Sequence, residues 1–579
     1  MERNTVPRAV IPTLLCGLLC ACASPARAQT PPAGEHSGMR ERIERHEADR
    51  GALARLFPFD GSPARDARLS EFDAQALAGL EALDFESLDP EARIDWLLLK
   101  NHVERERARA GQRLQRREEM APLLPFSARV CTLVEGPRGQ GAPEAEAAAG
   151  ELDALRTALL DARKQAPELV KNLKKSVANR AAGALDDMRE ALEGWYRFRA
   201  DYDPAFDWWA KKPWEALRPE LEGYAKYLRE EVAGLKGGDD EPVVGDPIGR
   251  EALLEELRFA MIPYSPEELI AIADREFVWC RERLLQASRE MGCGEDWQAA
   301  LEKVKRDHVA PGAQPALIRE LALEACDFVE RNELVSVPPL CKETWRMEMM
   351  SPERQLVTPF FTGGEVVSVS FPTDTMTHEQ KQMSLRGNNV HFSRATVLHE
   401  LIPGHHLQGF MSRRWSTQRE PFATPFYTEG WALYWEFVFY EHGFAKTPED
   451  RIGALFWRMH RCARIRFSLG FHLGQLTPEQ CVDMLVNEVG HERRNAAAEV
   501  RRSFNGSYGP LYQIAYMIGG LQLRALAHEA LGPGKRTPRD FHDAVLQGGN
   551  MPIELVRARI LRLPLSRDWK PSWRFDEAR

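Results

Sequence analysis

The sequence predicts a mostly α-helical protein of large, multi-helix build with one small β element, and three observations lead there. From Glu35 to about Pro204 the chain is rich in Ala, Leu, Glu and Arg, and sets such as Leu152, Leu155 and Leu159, or Leu185, Met188, Leu192 and Trp195, recur at helical spacing. Helical patterning resumes after Pro266-Glu267-Glu268 and runs to Val335, interrupted at Pro311 to Pro315. A β-branched alternating run then follows at Val366-Val367-Ser368-Val369-Ser370-Phe371, closed by Pro372. With 579 residues, 44% of them apolar, the chain can bury a large core.

Taken in order, the chain opens with two arginines in Met1 to Arg8, a mostly apolar run from Ala9 to Leu19, and then small residues. That is the pattern of a secretory signal, expected to occupy residues 1–28 and to send the protein to the bacterial periplasm or envelope. Leu19-Cys20-Ala21-Cys22 resembles a lipobox that would leave Cys22 lipidated, whereas Ala26-Arg27-Ala28 suits ordinary cleavage. A lipid at Cys22 is the one membrane attachment expected, because no later stretch reads as a transmembrane helix. Net charge of −9 gives no basic footprint, which argues against a nucleic-acid partner.

Residues 29–240 read as an N-terminal helical region and residues 250–579 as a second helical region, with the Gly, Asp and Pro cluster of Gly234 to Gly249 between them. Gly136 to Gly150 reads as an exposed loop within the first. The seven cysteines after the signal are scattered without a C-x-x-C, which is neither a disulfide framework nor a cysteine metal site. One or two disulfides are compatible with export.

The chemistry concentrates after the strand, in His399-Glu400-Leu401-Ile402-Pro403-Gly404-His405-His406 and in Tyr427-Thr428-Glu429-Gly430-Trp431. A catalytic zinc takes three protein ligands, usually imidazole and carboxylate, and keeps one position open. His399, one of the paired histidines and Glu429 can supply that set. In an unbroken helix His405 would lie about 9 Å along the axis from His399 and roughly 240° around it, so the two rings would point apart. Pro403-Gly404 therefore has to interrupt the helix. If those two residues form a bulge, six positions count as four and His405 faces the metal; His406 as ligand needs a larger excursion. Glu429 sits in a segment that is apolar all round from Thr428 to Tyr440, with Gly443 as its stop, so its carboxylate is expected to be buried and to need a partner. Glu436, seven residues on, shares its face; Arg461 or Arg464 is the alternative partner. Asn388-Asn389 are placed to cap the His399 helix. The strand before that helix could offer a free edge to an extended peptide, or could simply belong to a small sheet.

The strings H-E-L-I-P-G-H-H-L-Q (His399 to Gln408), Y-T-E-G-W-A-L-Y (Tyr427 to Tyr434), A-Y-M-I-G (Ala515 to Gly519) and F-H-D-A-V-L (Phe541 to Leu546), with Met261 to Leu269 upstream, resemble the bacterial domain-of-unknown-function 885 family. The resemblance covers nearly the whole chain after the signal. It implies a zinc-metallopeptidase-like helical fold related to the gluzincins, with carboxypeptidase or dipeptidase action on a peptide substrate. Where the family resembles V-D-T-G-x-H, this chain has Phe467-Ser468-Leu469-Gly470-Phe471-His472, which leaves a role for His472 open.

The expected assignment is thus Zn2+ on His399, His405 and Glu429, with Glu400 as general base and acid. Tyr516, by resemblance, is the first candidate to donate to the oxyanion, and whichever of His405 and His406 is not a ligand is the second. Arg461, Arg464, Arg466, Arg501 and Arg502 are candidates for a substrate carboxylate. Two other readings stand beside this one: a metal-dependent hydrolase of another amide or ester, and a catalytically silent binding or scaffold protein of the envelope.

Overall fold

Helix accounts for 72% of the chain, and among the described residues the sheet is a single pair of short strands, so the mostly α expectation holds. The computed structural model describes residues 38–136, 144–237, 241–357 and 362–576. The expected signal segment 1–28 and Cys22 lie outside them. Residues from Ser37 onward form one compact unit.

The apolar stripes foreseen in the N-terminal half do close on one another. Leu152, Leu155 and Leu159 of helix Ala145–Leu169, and Leu185, Met188, Leu192 and Trp195 of helix Lys175–Arg197, share a core with Leu217 and Leu221 of helix Pro204–Lys226. The expected loop from Gly136 to Gly150 is too long. A helix already starts at Ala145 and buries Ala145, Ala148 and Ala149, because a run of alanines is the best helix former and its small side chains fit the interior.

The division of the chain into residues 29–240 and 250–579 does not match the packing. Helices Met39–Leu56, Pro63–Glu81 and Pro90–Met120 lend Ile43, Leu80, Trp96 and Val103 to the same core as Leu257, Trp431, Leu521 and Leu555. All seven cysteines of the described residues are free thiols, six of them buried.

Strand Val366–Val369 lies where its alternation placed it, paired in parallel with Arg346–Met349, a strand that its one methionine-rich, charged turn of sequence does not announce. The expected free edge is partly used: Ser368 exchanges both backbone hydrogen bonds with Thr362 on the side away from the partner strand. Phe360 and Phe361 lie outside the described residues.

Four long helices carry most of the candidate site, Val390–Glu400, Pro425–Glu441, Pro448–His472 and Tyr512–Ala530, and the short helix His405–Ser412 supplies His405. The second and fourth cross at two glycines. A Cβ on Gly430 would stand 2.5 Å from the carbonyl carbon of Gly519, and one on Gly519 would stand 2.1 Å from the Phe426 oxygen, so only glycine lets these backbones meet.

Candidate functional site

Asn389 caps the His399 helix as expected, its side chain accepting from the amides of His391 and Phe392. The helix ends at Glu400, and a new one begins at His405. The interruption is therefore four residues, Leu401 to Gly404, in place of the two-residue bulge expected. Ile402-Pro403 is a cis peptide. The Gly404 amide donates to Leu398 and the His406 amide to Leu401, and the Pro403 carbonyl accepts from the Trp431 indole at 2.8 Å. A Cβ on Gly404 would fall 1.8 Å from the His399 carbonyl oxygen, so glycine is required for the turn that brings His405 back to His399.

The turn delivers the two rings at right angles, 4.8 Å between centroids. Nε2 of His405 and Nε2 of His399 stand 3.2 and 3.6 Å from Glu429 Oε2. One donor atom from each of the three residues lies within 4.8 Å of the others. Glu429 is 6% exposed, yet its Oε2 has no hydrogen-bond partner. A buried carboxylate oxygen without a donor is costly, and a cation is the ordinary remedy. The sequence-expected set of His399, His405 and Glu429 is thus brought together, and its two imidazoles and one carboxylate fit a zinc-type divalent ion.

Groups behind these three fix their orientation. His399 Nδ1 lies 2.8 Å from Glu436 Oε1, which leaves Nε2 to face Glu429. Arg461 donates to the same Glu436 oxygen at 3.3 Å. The Tyr512 hydroxyl donates to Glu429 Oε1, so one carboxylate oxygen is occupied and the other is left for the cluster. Tyr512 was missed in the sequence, although it lies one helical turn before Tyr516 and thus on the same face. Burial opposes charge on Glu429, but the His405 and His399 rings beside it hold its carboxyl well below the usual range. Burial likewise opposes charge on His399, and the Glu429 and Glu436 carboxylates outweigh it, raising its pKa to about 9.

The cluster opens into a cavity of about 240 Å3, lined also by Glu400, Tyr508, Tyr516, Arg461, Arg464 and Arg502. Three of the five candidate arginines therefore reach it. Arg466 pairs with Asp274 and Glu488, and Arg501 donates to the Glu241 carbonyl; neither lines the cavity. Arg464 and Arg502 both pair with Glu499 at 2.7 Å. Burial raises the Glu499 pKa less than these guanidiniums lower it, and it comes to about 2. The Tyr516 ring stacks over His399 at 6.1 Å, and its hydroxyl is 3.4 Å from that of Tyr512.

Two histidines are not part of this arrangement. His406, expected as alternative ligand or oxyanion donor, is buried with Nε2 2.8 Å from the Cys341 carbonyl oxygen, about 100° around the new helix from His405. His472 packs against Phe471 and Phe504 and does not line the cavity.

Two solved structures share the fold. A candidate lipoprotein of unknown function from Shewanella oneidensis matches with a TM-score of 0.66 at 17% identity, covering 90% of this chain and 99% of its own. A candidate lipoprotein from Colwellia psychrerythraea matches with a TM-score of 0.57 at 16% identity, covering 91% and 98%. Identity that low shows a common fold alone. No curated protein matches the chain. The family described as bacterial protein of unknown function, DUF885, matches residues 59–560, and this chain belongs to it.

Proposed function

We propose that the protein is an exported, gluzincin-like zinc metallopeptidase that removes residues from the carboxyl end of peptides. The observation that carries this reading is the convergence of His399 Nε2, His405 Nε2 and the unpartnered Glu429 Oε2 on one point at the wall of a cavity that also holds Glu400. A zinc ion held there would supply Lewis acidity toward a scissile carbonyl and acidify a bound water.

The protein's own groups do the rest. Glu400 follows His399 directly and carries the only other carboxylate on that helix end, so it takes a proton from the attacking water and returns it to the leaving amine. The Tyr516 hydroxyl is the donor for the developing oxyanion; burial pushes its pKa up, which keeps the proton on it at neutral pH. Tyr512 holds Glu429, and Glu436 holds His399, so neither ligand has to be oriented when substrate arrives. Arg464 pairs with Glu499 through Nε, which leaves its terminal amino groups outside that pair for a substrate carboxylate. A cavity of about 240 Å3 suits the end of a peptide better than a long stretch of one. An envelope location is supported by the signal-like start of the sequence and by the lipoprotein descriptions of the two structural neighbours.

The test pairs Glu400→Gln with elemental analysis and a panel of dipeptides, longer peptides, amides and esters. Zinc content should be unchanged in the variant, while peptide hydrolysis falls by about 100-fold or more. Unchanged peptide hydrolysis would overturn the mechanism, and activity confined to esters or non-peptide amides would overturn the substrate class.

A further inference from the structure

The geometry points to a second divalent-cation site, remote in sequence from the first, formed by His46 and Glu47 of helix Met39–Leu56 and His102 of helix Pro90–Met120. One ligand atom of each residue lies within 4.8 Å of the others; of the candidate atoms, His46 Nε2, Glu47 Oε1 and His102 Nε2, the last two stand 3.7 Å apart. Each of these three atoms is buried, and none has a hydrogen-bond partner. His46 is 6% exposed as a residue. A single orphaned nitrogen could be an accident of packing; three converging from two helices form a donor set of two imidazoles and a carboxylate, the set that selects zinc-class ions.

The rings are held by apolar neighbours and so keep their nitrogens for the cluster. His46 stacks on Phe72 at 4.9 Å, and His102 meets Phe422 edge-on at 5.7 Å. The nearest guanidinium, Arg50, is neutralised twice over, by Asp73 at 2.6 Å and Glu106 at 2.7 Å. Arg105 and Arg109 are both engaged by Glu256. The Glu47 and His102 side chains are 36% and 21% exposed, so solvent can reach the ion and complete its coordination. Phe422 ends the short turn Thr417–Phe422 just before helix Pro425–Glu441, so the ion would staple the two N-terminal helices beside the element that carries Glu429.

This inference does not depend on the proposed activity. Tag-free, full-length mature protein is stripped with chelator, reloaded with zinc alone, desalted and counted by elemental mass spectrometry. Wild type should hold one equivalent more than His102→Gln. In a Glu429→Ala background, which removes a ligand of the first cluster, one equivalent should remain and should be lost when His102→Gln is added. Equal counts with and without His102→Gln in either background would overturn the site. So would a Glu429→Ala protein that takes up no zinc. Glu47→Gln, a change at a partly exposed position, gives the same reading if His102→Gln fails to fold: loss of one equivalent sustains the site, and no loss overturns it.

Discussion

The core between residues 123 and 228 is built from Leu, Ala, Val, Phe and Trp, and its buried Tyr224 hydroxyl donates to the Leu123 carbonyl. The core around helix Pro425–Glu441 is equally dry, yet it encloses Glu429, Glu436, Glu276, Arg458, Arg461, Arg464 and Glu499. In the first, burial of apolar surface stabilises the fold with no charge to desolvate. In the second, each charge had to leave water, and a pair of that kind at best roughly offsets its own desolvation. A protein that keeps such groups in its interior is holding them for their positions. Charge has been concentrated in the core that faces the cavity and kept out of the one that does not.

Glu499→Gln should be the most damaging single change to stability, because it strands Arg464 and Arg502 at once; a loss of about 3–5 kcal/mol in denaturant unfolding is expected, with a weakened affinity for carboxylate-ended peptides. Leu185→Ala in the apolar core should cost about 2–5 kcal/mol by the cavity it leaves, but kcat and KM of the folded protein should not change. If Leu185→Ala altered KM, the separation between the two cores would be lost.

Acid gives a third comparison. Burial lowers the His472 pKa to about 4, only partly countered by Asp246, and its Nδ1 has no partner. The unfolded chain takes up this proton near pH 6.5 and the folded chain only near pH 4, so stability falls as pH drops through that window and is unaffected above it. From pH 7 to pH 5 the contribution is about 2 kcal/mol. His472→Leu should therefore flatten the acid side of a melting-temperature profile; an unaltered slope would assign the loss to other buried histidines. The smallest effect is expected from Tyr512→Phe, which frees Glu429 Oε1 but removes no ligand. Zinc should bind about tenfold more weakly or more, as for other groups that orient a ligand, with folding unchanged.

Spacing and residue type made much of this legible. His399 and Glu429 could be marked as a candidate pair because a buried carboxylate on a helix with no polar face needs a partner, and Pro403-Gly404 marked where the histidine helix had to break. The turn itself could not be read: its length depends on the carbonyl of His399 and the indole of Trp431, which are brought there by tertiary packing. Choosing His405 over His406 depended on the same turn. Tyr512 escaped notice because a tyrosine on an apolar helix looks like interior packing, although its spacing from Tyr516 held the clue. Strand Arg346–Met349 alternates over only four residues, too short a run to stand out, and it is recognised by the neighbour it pairs with. His46 and His102 are 56 residues apart in the sequence, and only the packing of their helices reveals them and Glu47 as a group.

Where Gly430 rests on Gly519, the spacing of two helices is set by atomic radii, with no side chain in between to trim or enlarge. Glu429 precedes that contact by one residue and Tyr516 precedes it by three, so ligand and hydroxyl share a gauge that small substitutions cannot reset. Replacing either glycine would shift both together. Elsewhere in the cavity lining the backbone of Gly363 lies so close to Glu400 that even a methyl group would collide with it, so the cavity is held by close backbone contact in two places.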